Sequence, residues 1–89
     1  MKAVITVVGH DNKGIIAKVS SACADAGANI EDISQSVLGE YFAMIMIVDT
    51  SGLTMAFTDF VDTMTKLGET NGLDIRTMHE SIFNSMHKI

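Results

Sequence analysis

The sequence predicts an α+β fold, a four-stranded antiparallel sheet with two helices on one face, in the order βαββαβ. Three observations predict it. Apolar residues recur at helical spacing in two stretches, from Ile15 to Ala26 and from about Leu53 to Thr70. Strand-like apolar runs precede and follow each of these stretches. A Gly39-Glu40 pair joins the two central runs as a short hairpin turn. At 89 residues the chain has room for one domain.

Ala3 to Val8 (AVITVV) is β-branched and continuous, which suits a central strand or one buried on both faces. A turn-rich loop follows, Gly9-His10-Asp11-Asn12-Lys13-Gly14. Ile15, Ile16, Val19, Ala22, Cys23 and Ala26 then define a helix face, and Gly27 ends the helix. Asn29 to Leu38 and Tyr41 to Asp49 are the arms of the hairpin. A two-residue turn sets Val37 opposite Phe42, Gln35 opposite Met44 and Ile33 opposite Met46. In that register the arm from Tyr41 to Asp49 is apolar on both faces. Leu53, Phe57, Phe60, Val61, Met64 and Leu67 mark the second helix, which Asn71-Gly72 stops. Leu73 to His79 reads as the last strand. Ile82, Phe83 and Met86 stand at helical spacing, so Glu80 to Ile89 is expected as a short terminal helix. The order is the split βαβ, or ferredoxin-like, arrangement.

Helices in this layout cover one sheet face. Here the first and third strands are apolar on both sides. Left open, that would expose an apolar patch of roughly a few hundred Å2, large enough to mark an interface. A homodimer is the simplest cover, since two-fold dimers are the commonest closed assemblies. The sequence does not choose between sheets paired side by side and face to face. Nor does it decide whether residues 81–89 cap the open sheet or contact a second chain.

The net charge is −5, and the six basic residues, Lys2, Lys13, Lys18, Lys66, Arg76 and Lys88, form no stripe. Nucleic acid is therefore not the expected partner, and no basic cluster suits an anionic membrane. No stretch approaches the roughly 20 apolar residues a spanning helix needs. The single cysteine, Cys23, fits a reducing compartment. The chain reads as soluble and cytoplasmic.

The loop from Gly9 to Gly14 is the most informative segment. It leads a strand into a helix N-terminus, where unpaired N–H groups favour a carboxylate or phosphate. Gly14 allows close approach to the backbone. The plain alternative is a turn in which Asp11 or Asn12 caps the helix. The G-x4-G spacing is followed by Ile15-Ile16 rather than Lys and Ser/Thr, so it is not a P-loop. Asn29, which opens the second strand, is expected near the edge where this loop sits. There it either hydrogen-bonds a ligand or makes an Asx turn. His10, His79 and His87 lack metal-ligand spacing, Cys23 has the neighbours of a core residue, and no acid pair is marked for general acid–base work. No catalytic residue, metal or cofactor is expected.

The segment GHDNKGIIAKVSSACADAGANIEDISQ resembles the opening of an ACT domain: a loop with Asp or Asn, Gly followed by Ile, a helix, Gly, then Asn-Ile. YFAMIMIVD and the later helix and strand extend the resemblance over residues 1–80, leaving 81–89 as a short C-terminal segment. SQSVLGEYFAMIMIVD and SIFNSMHKI resemble stand-alone bacterial and archaeal ACT proteins. The resemblance implies a non-catalytic regulatory domain that binds an amino acid or related metabolite at a homodimer interface. Carried over by position, it implies Asp11, Asn12, Gly14, Ile15, Asn29 and Ile30 as ligand-binding residues. Amides near Gly14 and Ile15 would hold a carboxylate, while Asp11 and Asn29 would take an ammonium group or bridge the subunits. Lys13 stands where many such domains have Pro. No catalytic domain is attached in this sequence, so the regulated protein is expected to be a separate chain. The alternative function is a protein-interaction subunit without a ligand.

Overall fold

The computed structural model describes residues 1–10 and 13–86. The elements are β1 (Lys2–Gly9), α1 (Ile15–Ala26), β2 (Asn29–Leu38), β3 (Tyr41–Asp49), α2 (Phe57–Asn71), β4 (Asp74–His79) and α3 (Glu80–Met86). The strands form one antiparallel sheet in the order β2-β3-β1-β4. This is the ferredoxin-like arrangement that the sequence predicts. The continuous apolar run of β1 is a central strand, paired with β3 on one side and β4 on the other.

The hairpin register is the expected one, with Val37 opposite Phe42, Gln35 opposite Met44 and Ile33 opposite Met46. Gly39 holds the first turn position at φ 62°. Near its start β2 slips by one residue between Ile30 and Asp32, a bulge at Glu31. There the Glu31 carboxylate meets Lys2 Nζ at 2.8 Å. That hydrogen bond and the charge of Glu31 raise the Lys2 pKa above its usual value.

Strand alternation sends Ala3, Ile5 and Val7 of β1 and Phe42, Met44, Met46 and Val48 of β3 to one face, where all are buried. Two helices cover that face: α1 contributes Val19 and Cys23, and α2 contributes Phe60 and Met64. Each such large apolar side chain contributes about 1.5–3 kcal/mol when buried, so this layer holds the fold together.

The second helix begins one turn later than its apolar spacing suggests, at Phe57 rather than Leu53. The cause is tertiary. The Thr54 N–H and hydroxyl both donate to the Ala26 carbonyl, at 3.0 and 3.3 Å. These bonds tie the preceding segment to the end of α1. Ala56 remains extended at φ −63°, ψ 149°, while Leu53 and Met55 still pack on the core. Gly27 makes this junction possible. It sits at φ 83°, and a Cβ there would overlap the Gly52 carbonyl.

On the opposite face the sequence left the cover undecided. α3 lies there against β1 and β4, though none of its residues is buried. His79 Nδ1 accepts from the Ser81 N–H at 3.1 Å and so caps the first turn of α3. The expected continuation of this helix to Ile89 falls at 87–89, outside the described residues. Among the described residues no helix is long and apolar enough to cross a membrane.

Candidate functional site

β1 ends at Gly9, opposite Phe42 of the hairpin. His10 follows, its ring centroid 4.7 Å from that of Tyr41 with the planes inclined at 46°. The loop thus leaves the sheet beside the hairpin turn. α1 then starts at Ile15, whose buried side chain anchors the first turn in the core. Gly14 is the N-cap, at φ 71° and ψ 4°. Glycine takes this left-handed conformation without a steric penalty. Among the described residues, nothing lies within 4 Å of the position a Cβ would occupy.

The chemistry of this end follows from what is absent from the helix itself. Gly14 has no side chain to cap with, and the first turn carries no acid. The Lys18 N–H donates to the Gly14 carbonyl at 3.0 Å. The N–H groups of Ile15, Ile16 and Ala17 precede that bond and have no partner within the helix. They carry partial positive charge, which favours an anionic group such as a carboxylate. Asp11 and Asn12, expected beside this site, lie outside the described residues.

Asn29 is not beside the loop, contrary to the expectation from sequence. It opens β2 immediately after α1 ends and pairs with Asp49 at the far end of the sheet. The 12 residues of α1, a length of about 18 Å, separate it from Gly14. The physical reason is the crossover: the helix carries the chain the full length of the sheet before β2 returns. Asn29 is exposed, and among the described residues its amide makes no side-chain hydrogen bond, so the Asx turn does not form. Ile30 is half-buried and packs against the core. Within one chain, then, Gly14 and Ile15 stand together at one end, and Asn29 and Ile30 at the other.

The remaining candidates have structural surroundings. Cys23 is fully buried, and burial pushes its thiol up to about 11, so it stays protonated and unreactive at neutral pH. His10 makes a tilted ring contact with Tyr41, His79 caps α3, and His87 lies outside the described residues. Among the described residues no three His, Cys, Asp or Glu side chains are placed to hold a metal ion. Two features escaped the sequence. No spacing rule relates His10 to Tyr41. Asp74 and Arg76, paired Oδ1 to Nε at 3.4 Å, line a cavity with Phe83 and Met86. Alternation along DIRTMH was their one visible signal.

A βαββαβ domain with an open helix N-terminus after its first strand suits a binding module. The comparisons identify which kind. Residues 2–78 match the ACT domain, and the chain belongs to that family. ACT domains are regulatory ligand-binding domains. A UPF0237 protein of Methanopyrus kandleri is 43% identical over 88 residues, covering 99% of this chain and 98% of its own length. Among solved structures, an ACT domain protein from Streptococcus pneumoniae superposes with a TM-score of 0.82 at 44% identity, covering 98% of both chains. The ligand-free regulatory subunit of aspartate kinase from Thermus thermophilus gives 0.64 at 25% identity, covering 85% of this chain and 49% of that one.

Proposed function

We propose that this protein senses an amino acid or a closely related metabolite at the interface of a homodimer. The observation that carries the proposal is the separation of Gly14 from Asn29, because one chain by itself presents only half of the expected site. β2 is an edge strand, exposed along almost its whole length, and α1 lies over the same side of the sheet. Its outer ladder groups are free to pair with another strand. A two-fold axis that pairs β2 antiparallel with its copy reverses the direction of the second chain. The Asn29 end of one subunit then comes to the Gly14 end of the other.

In that arrangement the first-turn amides beside Gly14 and Ile15 hold the ligand carboxylate. Asn29 from the other subunit and Asp11 take the ammonium group or bridge the subunits, and Asn12 and Ile30 complete the proposed set of ligand-binding residues. A ligand bridging two chains favours the dimer by mass action. The likeness to a regulatory subunit supports a regulatory output, passed to a separate protein in the cytoplasm.

Thermal unfolding against a panel of the standard amino acids at millimolar concentration tests this, with the mass in solution measured alongside. A ligand at 100 times its dissociation constant adds about 2.7 kcal/mol, or several degrees for a domain of this size. A selective rise that Asn29→Ala removes, together with a dimer mass, is the expected result. No rise across the panel overturns the sensor and favours an interaction subunit without a ligand.

A further inference from the structure

The open face of the sheet contains a cavity of about 360 Å3, roofed by α3. Ligand sites commonly occupy about 300–1,000 Å3, so it suits a small molecule. Strand pairing builds its floor in rows. Ile45, Thr6 and Arg76 are register neighbours across β3, β1 and β4, and Val8 and Asp74 form the next row. Phe83 and Met86 of α3 close the other side. The walls are mostly apolar, and the charged groups, Arg76 and Asp74, both come from β4.

Those two side chains already meet, Arg76 Nε to Asp74 Oδ1 at 3.4 Å, and both are largely exposed. An exposed pair of this kind contributes little to stability, so a ligand displaces little by engaging it. The contact uses Nε, which leaves the Nη groups of the guanidinium for a carboxylate. The other Asp74 oxygen can accept from an ammonium group. A ligand with only a carboxylate would meet the repulsion of Asp74. One with only an amine would meet that of Arg76. A zwitterion satisfies both.

We infer that this cavity is a second small-molecule site, for an α-amino acid with an apolar side chain. Its side chain lies over Thr6, Val8 and Ile45 beneath Phe83 and Met86, and its charged end meets Arg76 and Asp74. The site does not depend on the interface proposed above. It lies on the sheet face opposite α1 and needs no residue from a second chain.

Methyl NMR on the full chain, titrated with L-leucine, tests the inference. Two comparators each lack one charge: 4-methylpentanoate and 3-methylbutylamine. Saturable shifts at Val8, Ile45 and Met86 are expected with leucine. Either comparator should bind about tenfold more weakly or worse, the weight of one charge-assisted contact. Arg76→Gln and Asp74→Asn should weaken leucine binding to a similar extent, and Asn29→Ala should leave the leucine-induced shifts at Val8, Ile45 and Met86 unchanged. That last variant separates failure here from failure at the interface. The inference is overturned if L-leucine, L-methionine and L-phenylalanine all leave these methyls unmoved at millimolar concentration. It is also overturned if leucine and its comparators bind equally, or if the shifts follow protein concentration alone, which would mean that a second copy covers this face.

Discussion

The two faces of the sheet are built from the same strands and finished differently. On one, two amphipathic helices bury every inward residue of β1 and β3. On the other, a seven-residue helix without a buried residue covers part of β1 and β4. There Val4 is 3% exposed, while Val8 and Ile45 are 46% and 43% exposed. The covered face holds most of the folding free energy. The other face keeps apolar surface within reach of a ligand or a partner, at some cost in stability.

Substitutions can break or sharpen that contrast. The largest effect is expected at Phe60, which has no exposed surface. Phe60→Ala should cost about 3–5 kcal/mol in urea unfolding, a large share of the stability of a small domain. The sharper comparison is between neighbours on β3. Met46 points into the helix layer and Ile45 away from it. Met46→Ala should cost about 2–5 kcal/mol, and Ile45→Ala under about 1 kcal/mol. Equal losses would show that the open face is packed as tightly as the covered one.

The ends of α1 offer a smaller contrast. Gly14 and Gly27 are both left-handed, but among the described residues only Gly27 stands against backbone, at Gly52. Gly14→Ala should therefore cost only the conformational strain, about 1–2 kcal/mol, and Gly27→Ala clearly more in the same assay. The smallest effect involves pH. The Ser51 N–H donates to Asp49 Oδ1 at 2.9 Å and is the main cause of a lowered Asp49 pKa. A carboxylate whose folded-state pKa lies below its unfolded value stabilises the fold above the unfolded value. That contribution is lost as pH falls through the folded one. Asp49→Asn should slightly flatten the acid side of the stability profile, measured by thermal unfolding at stepped pH.

Much of the architecture was legible because its signals are local. The period of the apolar residues separated helix from strand, and Gly27, Gly39 and Gly72 marked where elements end. From Leu38 back to Asp32 the register of β2 on β3 followed from the turn length, because a hairpin turn leaves one alignment open, whereas the bulge at Glu31 had no local signal. The start of α2 did not follow, because bonds from Thr54 to Ala26 override its helical spacing.

The candidate site was legible in part. The sequence by itself determined the βαββαβ order of elements along the chain, the amphipathic faces of the two helices and a glycine-opened helix N-terminus at Gly14, since each depends on residues close in the chain. Only the tertiary structure decided that Asn29 lies at the other end of the sheet, that α3 folds onto the open face, and that Arg76 and Asp74 meet Phe83 and Met86 around one cavity. Those facts depend on where a helix crossover delivers the chain and on which rows the strands align. No window of neighbouring residues carries that information.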